Sequence, residues 1–191
     1  MAGLPHWNNS QAARNYYEPL FKNQFEVIIT PPATITDNVN LLVEHVTKIT
    51  GLPEKAGTGT IVKQFYKFAE RTFVGGMPEA TSVTLNMDFE VNLNEDNSMY
   101  VYNTLRAWAD LIYDPLNGRQ GLKKDYVGEI YVGVFNKAGQ IYREFRFKPA
   151  YLEAPLTAMD LNYTDNEIYK ITGLKFRCDS YVETRIGQIE I

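Results

Sequence analysis

The sequence is short of the residues that build covalent and metal frameworks: it has one cysteine, Cys178, and two histidines, His6 and His45. A single cysteine excludes an internal disulfide and gives no sign of an oxidising compartment, so Cys178 reads as a small buried hydrophobe. Neither histidine has a second ligand at metal spacing, and no metal or cofactor is expected. Basic charge is also scarce. The 19 Lys and Arg face 23 Asp and Glu, a net charge of −4. Gripping nucleic acid requires an excess of cations to displace counterions, and this balance argues against such a grip. The start, MAGLPHWNNS, has neither the basic cluster nor the apolar run of a secretion signal. No stretch approaches the ~20 apolar residues that span a bilayer. The expectation is a protein without a membrane segment, made and folded in the cytoplasm.

Motifs for chemistry are missing as well. There is no G-x-S-x-G element and no Ser, His and Asp set in a triad pattern. Ala56-Gly57-Thr58-Gly59-Thr60 resembles a phosphate loop only superficially, because it lacks the lysine and the following helix. Glu95 with Asp96, and Asp165 with Glu167, could form hydrolytic carboxylate pairs, but both sit at element starts, where acidic groups cap or solvate. Lys123-Lys124 reads as a solvated loop pair. No catalytic, cofactor-binding or metal site residue is therefore assigned, and the chain is read as a non-enzyme.

Apolar residues make up 45% of the 191 positions, enough for one domain with a proper core, and aromatics 13%. Thirteen tyrosines combine apolar area with a polar tip, a composition frequent at interfaces. Residues 1–22 carry Pro5, Trp7, Tyr16, Tyr17 and Pro19 without a sustained period, and read as an N-terminal arm that docks on a neighbour. Residues 23–191 read as a single β domain. Phe25 to Ile29 is a short strand stopped by Pro31 and Pro32, and Leu41 to Thr50 a second one ending in Gly51-Leu52-Pro53. The stretch Gly51 to Thr60 reads as a loop. Ile61 to Val74 is a longer extended segment in which neither face is cleanly polar.

Val83, Leu85, Met87, Phe89, Val91 and Leu93 alternate with polar residues, the pattern of a strand with one buried and one wet face. Val101, Leu105, Trp108 and Ile112 recur at helical spacing, with Asn94 or Asp96 as N-cap and Pro115 as the stop. Trp108 belongs to the core face. Tyr126 to Phe135 and Ile141 to Lys148 form a hairpin around Asn136-Lys137-Ala138-Gly139. A last strand runs from about Ile168 to Val182. Its apolar parity switches between Ile171 and Leu174, which requires a bulge near Gly173. The sum is a mainly β fold: an antiparallel sandwich or barrel of about six to seven strands with one packed helix.

Several segments taken in order resemble the tail tube protein of contractile-tailed bacteriophages. They are Phe25-Glu26-Val27-Ile28-Ile29, Val46-Thr47-Lys48-Ile49-Thr50-Gly51-Leu52-Pro53, and Arg71-Thr72-Phe73 ahead of the alternating strand. The helix around Trp108 follows, then the loop from Gly118 to Gly121. Leu161-Asn162-Tyr163-Thr164-Asp165-Asn166-Glu167-Ile168 leads into the last strand, closed by Asp179-Ser180-Tyr181. The resemblance spans residues 23–183. It implies hexameric rings that stack into a hollow tube around DNA and a tape-measure protein, inside a contractile sheath. Implied partners are further copies of the chain, the sheath protein, the tape-measure protein, and baseplate and tail-terminator proteins, with genomic DNA passing without sequence-specific binding. The implied location is the virion tail. The same fold serves type VI secretion tubes and extracellular injection particles, and a baseplate tube initiator is a further alternative. The chain departs from the simplest family pattern in its arm, in Tyr151 to Met159, and in its tail from Arg185 to Ile191. The alternative from another class is a monomeric ligand-binding β-barrel with an enclosed apolar pocket.

Overall fold

The computed structural model describes residues 21–35, 39–54, 61–66, 69–74, 82–93, 99–153, 156, 162–164 and 166–185. The arm up to residue 20, the loop 55–60, Lys67, Asn94, Asp96, Asp165 and the tail 186–191 lie outside the described residues.

The main body is one antiparallel sheet. In chain order its strands are β1 (Phe25–Thr30), β2 (Val46–Thr50), β5 (Val83–Glu90), β8 (Gly128–Phe135), β9 (Ile141–Leu152), β10 (Lys170–Cys178) and β11 (Tyr181–Arg185). Their spatial order is β1-β8-β9-β10-β5-β2, with β11 also paired to β9. Two small ribbons stand apart from this order: β3 (Ile61–Tyr66) with β4 (Ala69–Val74), and β6 (Tyr113–Asp114) with β7 (Arg119–Gln120). The helices are α1 (Val39–Glu44), α2 (Tyr100–Ile112) and α3 (Lys123–Tyr126). The architecture is mainly β and antiparallel, as the alternating sequence implied.

The core follows from period two on strands and 3.6 on the helix. Leu85, Met87 and Phe89 of β5, Phe145 and Phe147 of β9, and Leu174, Phe176 and Cys178 of β10 are all buried on one side. Helix α2 closes that side with Val101, Leu105 and Trp108. Trp108 is fully buried, meets Phe176 edge-on at 5.5 Å between centroids, and donates its indole N–H to Tyr126 O at 2.8 Å. Leu93, expected to share the buried parity, is exposed, because β5 ends at Glu90.

The last strand carries the bulge. Pairing of β10 with β5 shifts register between Ile171 and Leu174, and Gly173 between them has φ +67°. A left-handed φ is open to glycine at little cost and costs any other residue. The Gly173 N–H, removed from the ladder, donates to Asp88 Oδ1 at 2.7 Å. Beyond Cys178 the same chain continues as β11 in unbroken register with β9: Cys178 faces Ala150, and Tyr181 faces Phe147. The gap falls opposite Pro149, which has no N–H to give, although Lys148 N still reaches Ser180 O at 3.1 Å. One expected strand is thus two segments of one ladder.

Four further expectations are corrected. Leu41 to Thr50 is not all strand: α1 precedes β2, because Leu42 turns fully inside while the segment spans only six residues, too few to display a period. Ile61 to Val74 is not one extended segment but the two strands of a hairpin. Helix α2 begins at Tyr100 with Met99 as N-cap and no side-chain cap bond, so neither Asn94 nor Asp96 caps it. Lys123-Lys124 is solvated as expected, both residues being exposed, but it is not in a loop: it opens α3, where Lys123 Nζ bonds Asp179 and sits 5.3 Å over the Tyr151 ring. The β8–β9 hairpin forms as expected, with Asn136 Oδ1 accepting the N–H groups of Ala138 and Gln140, each at 3.0 Å. Strand β9 runs past Lys148 to Leu152.

Candidate assembly surface

The β3–β4 hairpin has no strand partner outside itself among the described residues. Its register pairs Phe65 with Glu70 and Val62 with Phe73, so Phe65 lies on one face and Phe73 on the other. Both are exposed, at 73% and 51%. Lys63, which shares the Phe65 face, bonds Glu70 at 2.9 Å. A lone two-stranded hairpin is marginally stable in water at best, and one that shows an aromatic on each face is stabilised when something covers it. The mixed faces noted in the sequence are this property.

A groove of about 540 Å³ opens where the two ends of the strand order approach each other. Its apolar lining comes from Phe25 and Val27 on β1, Val43 on α1, Val46 on β2 and Phe135 on β8, and its charged lining from Glu26 and Glu44. The groove is open rather than an enclosed pocket. Strand β1 pairs only with β8 and β2 only with β5, so each has an outer edge with no strand partner among the described residues. Unpaired edges recruit another chain unless they are blocked. No local sequence signal announces the groove, because its walls lie about twenty and about a hundred residues apart and meet only through the fold.

Arg143 ties the route to the hairpin down at its root. Its Nε donates to Glu183 Oε1 at 2.6 Å, and its two terminal nitrogens donate to the Glu54 oxygens at 2.8 and 3.0 Å. The two carboxylates push the guanidinium's affinity for its proton further up, the Glu54 bonds being the larger cause. Glu54 directly follows Gly51-Leu52-Pro53. Gly51 has φ +88°, and a Cβ there would fall 2.3 Å from Thr84 O. The Leu-Pro turn is therefore held by glycine geometry at one end and by a forked ion pair at the other.

Of the candidates for chemistry, only His45 and Glu167 fall among the described residues. His45 Nδ1 lies 3.5 Å from Asn92 Nδ2, Glu167 is exposed, and His6, Glu95, Asp96 and Asp165 lie outside the described residues. Among the described residues no three His, Cys, Asp or Glu side chains are placed to hold a metal. Among them also, no helix is long and apolar enough to cross a membrane. Burial, with a smaller push from Asp179, holds the Cys178 thiol up at about 12, so it is protonated at neutral pH.

No family model and no curated protein matches the sequence. Solved structures do match the fold. A chain of the anti-feeding prophage cap, the tube-terminating cap, superposes with a TM-score of 0.55 at 16% identity, covering 88% of this chain and 93% of that one. A chain of the extended sheath–tube complex of an extracellular contractile injection system, PVC, gives 0.55 at 14% identity over 93% and 99%. The sheath/tube terminator of that system gives 0.51 at 14% over 88% and 98%. The chain shares its fold with subunits of contractile injection systems. These likenesses run nearly end to end in both directions, so the core fold is common to all of them at sequence identities where few side chains coincide.

Proposed function

We propose that this protein is a structural subunit of a contractile injection tube, assembling with copies of itself into hexameric rings that stack into a hollow conduit. The observation that carries this reading is the near-complete fold match to chains of sheath–tube and cap assemblies. The stand-off hairpin and the open edges of β1 and β2 supply the surfaces such an assembly requires. Head-to-tail contacts that close give rings, and stacking that does not close gives a filament. Pairing edges across subunits also removes a liability that a monomer would have to block.

In this reading a sheath surrounds the tube, baseplate and terminator proteins bound it, and a tape-measure protein and then DNA occupy the channel of a phage tail. The residues 1–22 arm and the loop 51–60 contact neighbouring subunits. The channel wall is neutral or acidic, since each Lys or Arg bound to phosphate would add salt-dependent drag. The pairing of Lys48 with Asp88, Lys63 with Glu70 and Lys148 with Glu129 supports a balanced surface. The equal match to a tube-terminating cap favours one second reading, a cap that closes such a tube. A sedimentation-velocity series over a hundredfold range of concentration tests the proposal. A tube subunit populates large species that grow with concentration, a cap stops at one ring, and a single slow monomer boundary throughout excludes both.

A further inference from the structure

We propose that Asn117-Gly118, at the tip of the β6–β7 ribbon, is a site of spontaneous amide-to-acid conversion, and that Asp114 restrains the reaction. A single copy carries the whole site, whatever the chain assembles into. The turn joins two strands of two residues each, and residues 115–120 are all exposed. Gly118 has φ +61°, and a Cβ built there would meet nothing within 4 Å beyond its two chain neighbours. Glycine takes this conformation at little cost and brings no side chain to screen its nitrogen. Asparagine is a thermally labile residue. Its lability is greatest where water reaches the amide and the next backbone nitrogen is unobstructed, and both conditions hold at Asn117.

The Gly118 nitrogen attacks Cγ of Asn117. A new N–C bond closes a five-membered imide, the Cγ–Nδ2 bond breaks, and the proton lost by Gly118 leaves with the amide nitrogen as ammonia. Water then opens the imide at either carbonyl, giving aspartate or, with one more backbone carbon, isoaspartate. Nothing is oxidised or reduced, and water is the one co-reactant. Asp114 works against the attack. Asn117 Nδ2 donates to Asp114 Oδ2 at 2.5 Å, and the N–H groups of Leu116 and Asn117 donate to Asp114 Oδ1 at 2.9 and 3.3 Å. These bonds, the Asn117 side chain's above all, hold the Asp114 carboxyl below the usual carboxylate range. They also aim the amide back towards residue 114, away from the nitrogen that must reach it. A carboxylate beside Cγ further disfavours the negative charge that builds on the amide oxygen during attack. Conversion undoes the arrangement, because a carboxylate at residue 117 has no hydrogen to give and sets like charge beside Asp114. Isoaspartate, with its longer backbone, also breaks the pairing of Asp114 with Arg119.

Mass spectrometry of the full-length protein, aged in warm and mildly alkaline buffer, tests the site. Trypsin cuts after Arg106 and Arg119, and in residues 107–119 Asn117 is the one asparagine. Asn162 is the internal control: it is exposed and its Oδ1 accepts the Thr164 N–H at 3.1 Å, but the bulky Tyr163 follows it. In Asp114→Ala, Asn117 is expected to convert several-fold faster than in wild-type and several-fold faster than Asn162 in the same sample. Both aspartate and isoaspartate are expected as products. Conversion of Asn117 in the variant no faster than that of Asn162 overturns the site. Equal conversion of Asn117 in wild-type and Asp114→Ala overturns the restraint. Should circular dichroism show Asp114→Ala unfolded, Asp114→Ser replaces it, keeping an oxygen for the Leu116 N–H, and the same acceleration over wild-type is expected.

Discussion

Trp108 is the residue on which the helix–sheet contact turns. Its ring is fully buried against Phe176, and its one polar atom is satisfied by Tyr126 O. Replacing it with alanine removes the largest buried side chain among the described residues and leaves a cavity between α2 and β10. Large-to-small aromatic substitutions of this kind cost about 3–5 kcal/mol. Trp108→Ala is therefore expected to lower the urea midpoint by that equivalent with an unchanged slope. Cys178 gives a prediction in pH. Its folded pKa, about 12, lies above the ordinary thiol value of 9.0. Between those limits the unfolded chain releases a proton that the folded chain keeps, so stability falls as pH rises. Below pH 9 both states hold the proton and this contribution is flat. The raised tyrosines Tyr131, Tyr142 and Tyr169 act with the same sign. Cys178→Ala should therefore show a shallower loss of stability between pH 9 and 12 than wild-type, whatever its offset at neutral pH.

Among the elements, the joint formed by Arg143 binds the end of the β2 turn to β9 and β11. Charged hydrogen bonds of this type contribute about 1.5–3 kcal/mol, and removing the cation leaves Glu54 and Glu183 side by side. Arg143→Gln is expected to destabilise the chain by about that much. Hydrogen exchange should quicken first in Gly51–Glu54 and β11, while β5 and α2 stay protected. Uniform loss of protection would show that the clamp serves the whole core instead. The elements also show what the sequence could reveal. Alternation exposed β5, the 3.6 period exposed α2, and the parity switch at Gly173 exposed the bulge, because each pattern is written in neighbouring residues. Helix α1 and the reversal inside residues 61–74 stayed hidden. Six residues are too few to show a period, and two mixed faces look alike in one long strand and in a hairpin. The groove could not be seen at all, since Glu26 and Glu44 become neighbours only when β1 and β2 end the same sheet.

At the scale of the whole molecule, a closed core coexists with a surface that is unfinished in one copy. The hairpin and the edges of β1 and β2, which have no strand partner among the described residues, are the surfaces that the proposed assembly covers, whereas the core under α2 is closed within one copy. A truncation lacking residues 1–18 is thus expected to keep the folded domain, with a near-wild-type thermal midpoint, and to lose long assemblies. Normal polymerisation of that truncation would remove the arm from stacking. The most direct measurement of the central claim is negative-stain microscopy of the purified full-length chain across a concentration series. The account predicts rings of six subunits with an open centre, stacked into tubes at high concentration. Single compact particles at every concentration would contradict it.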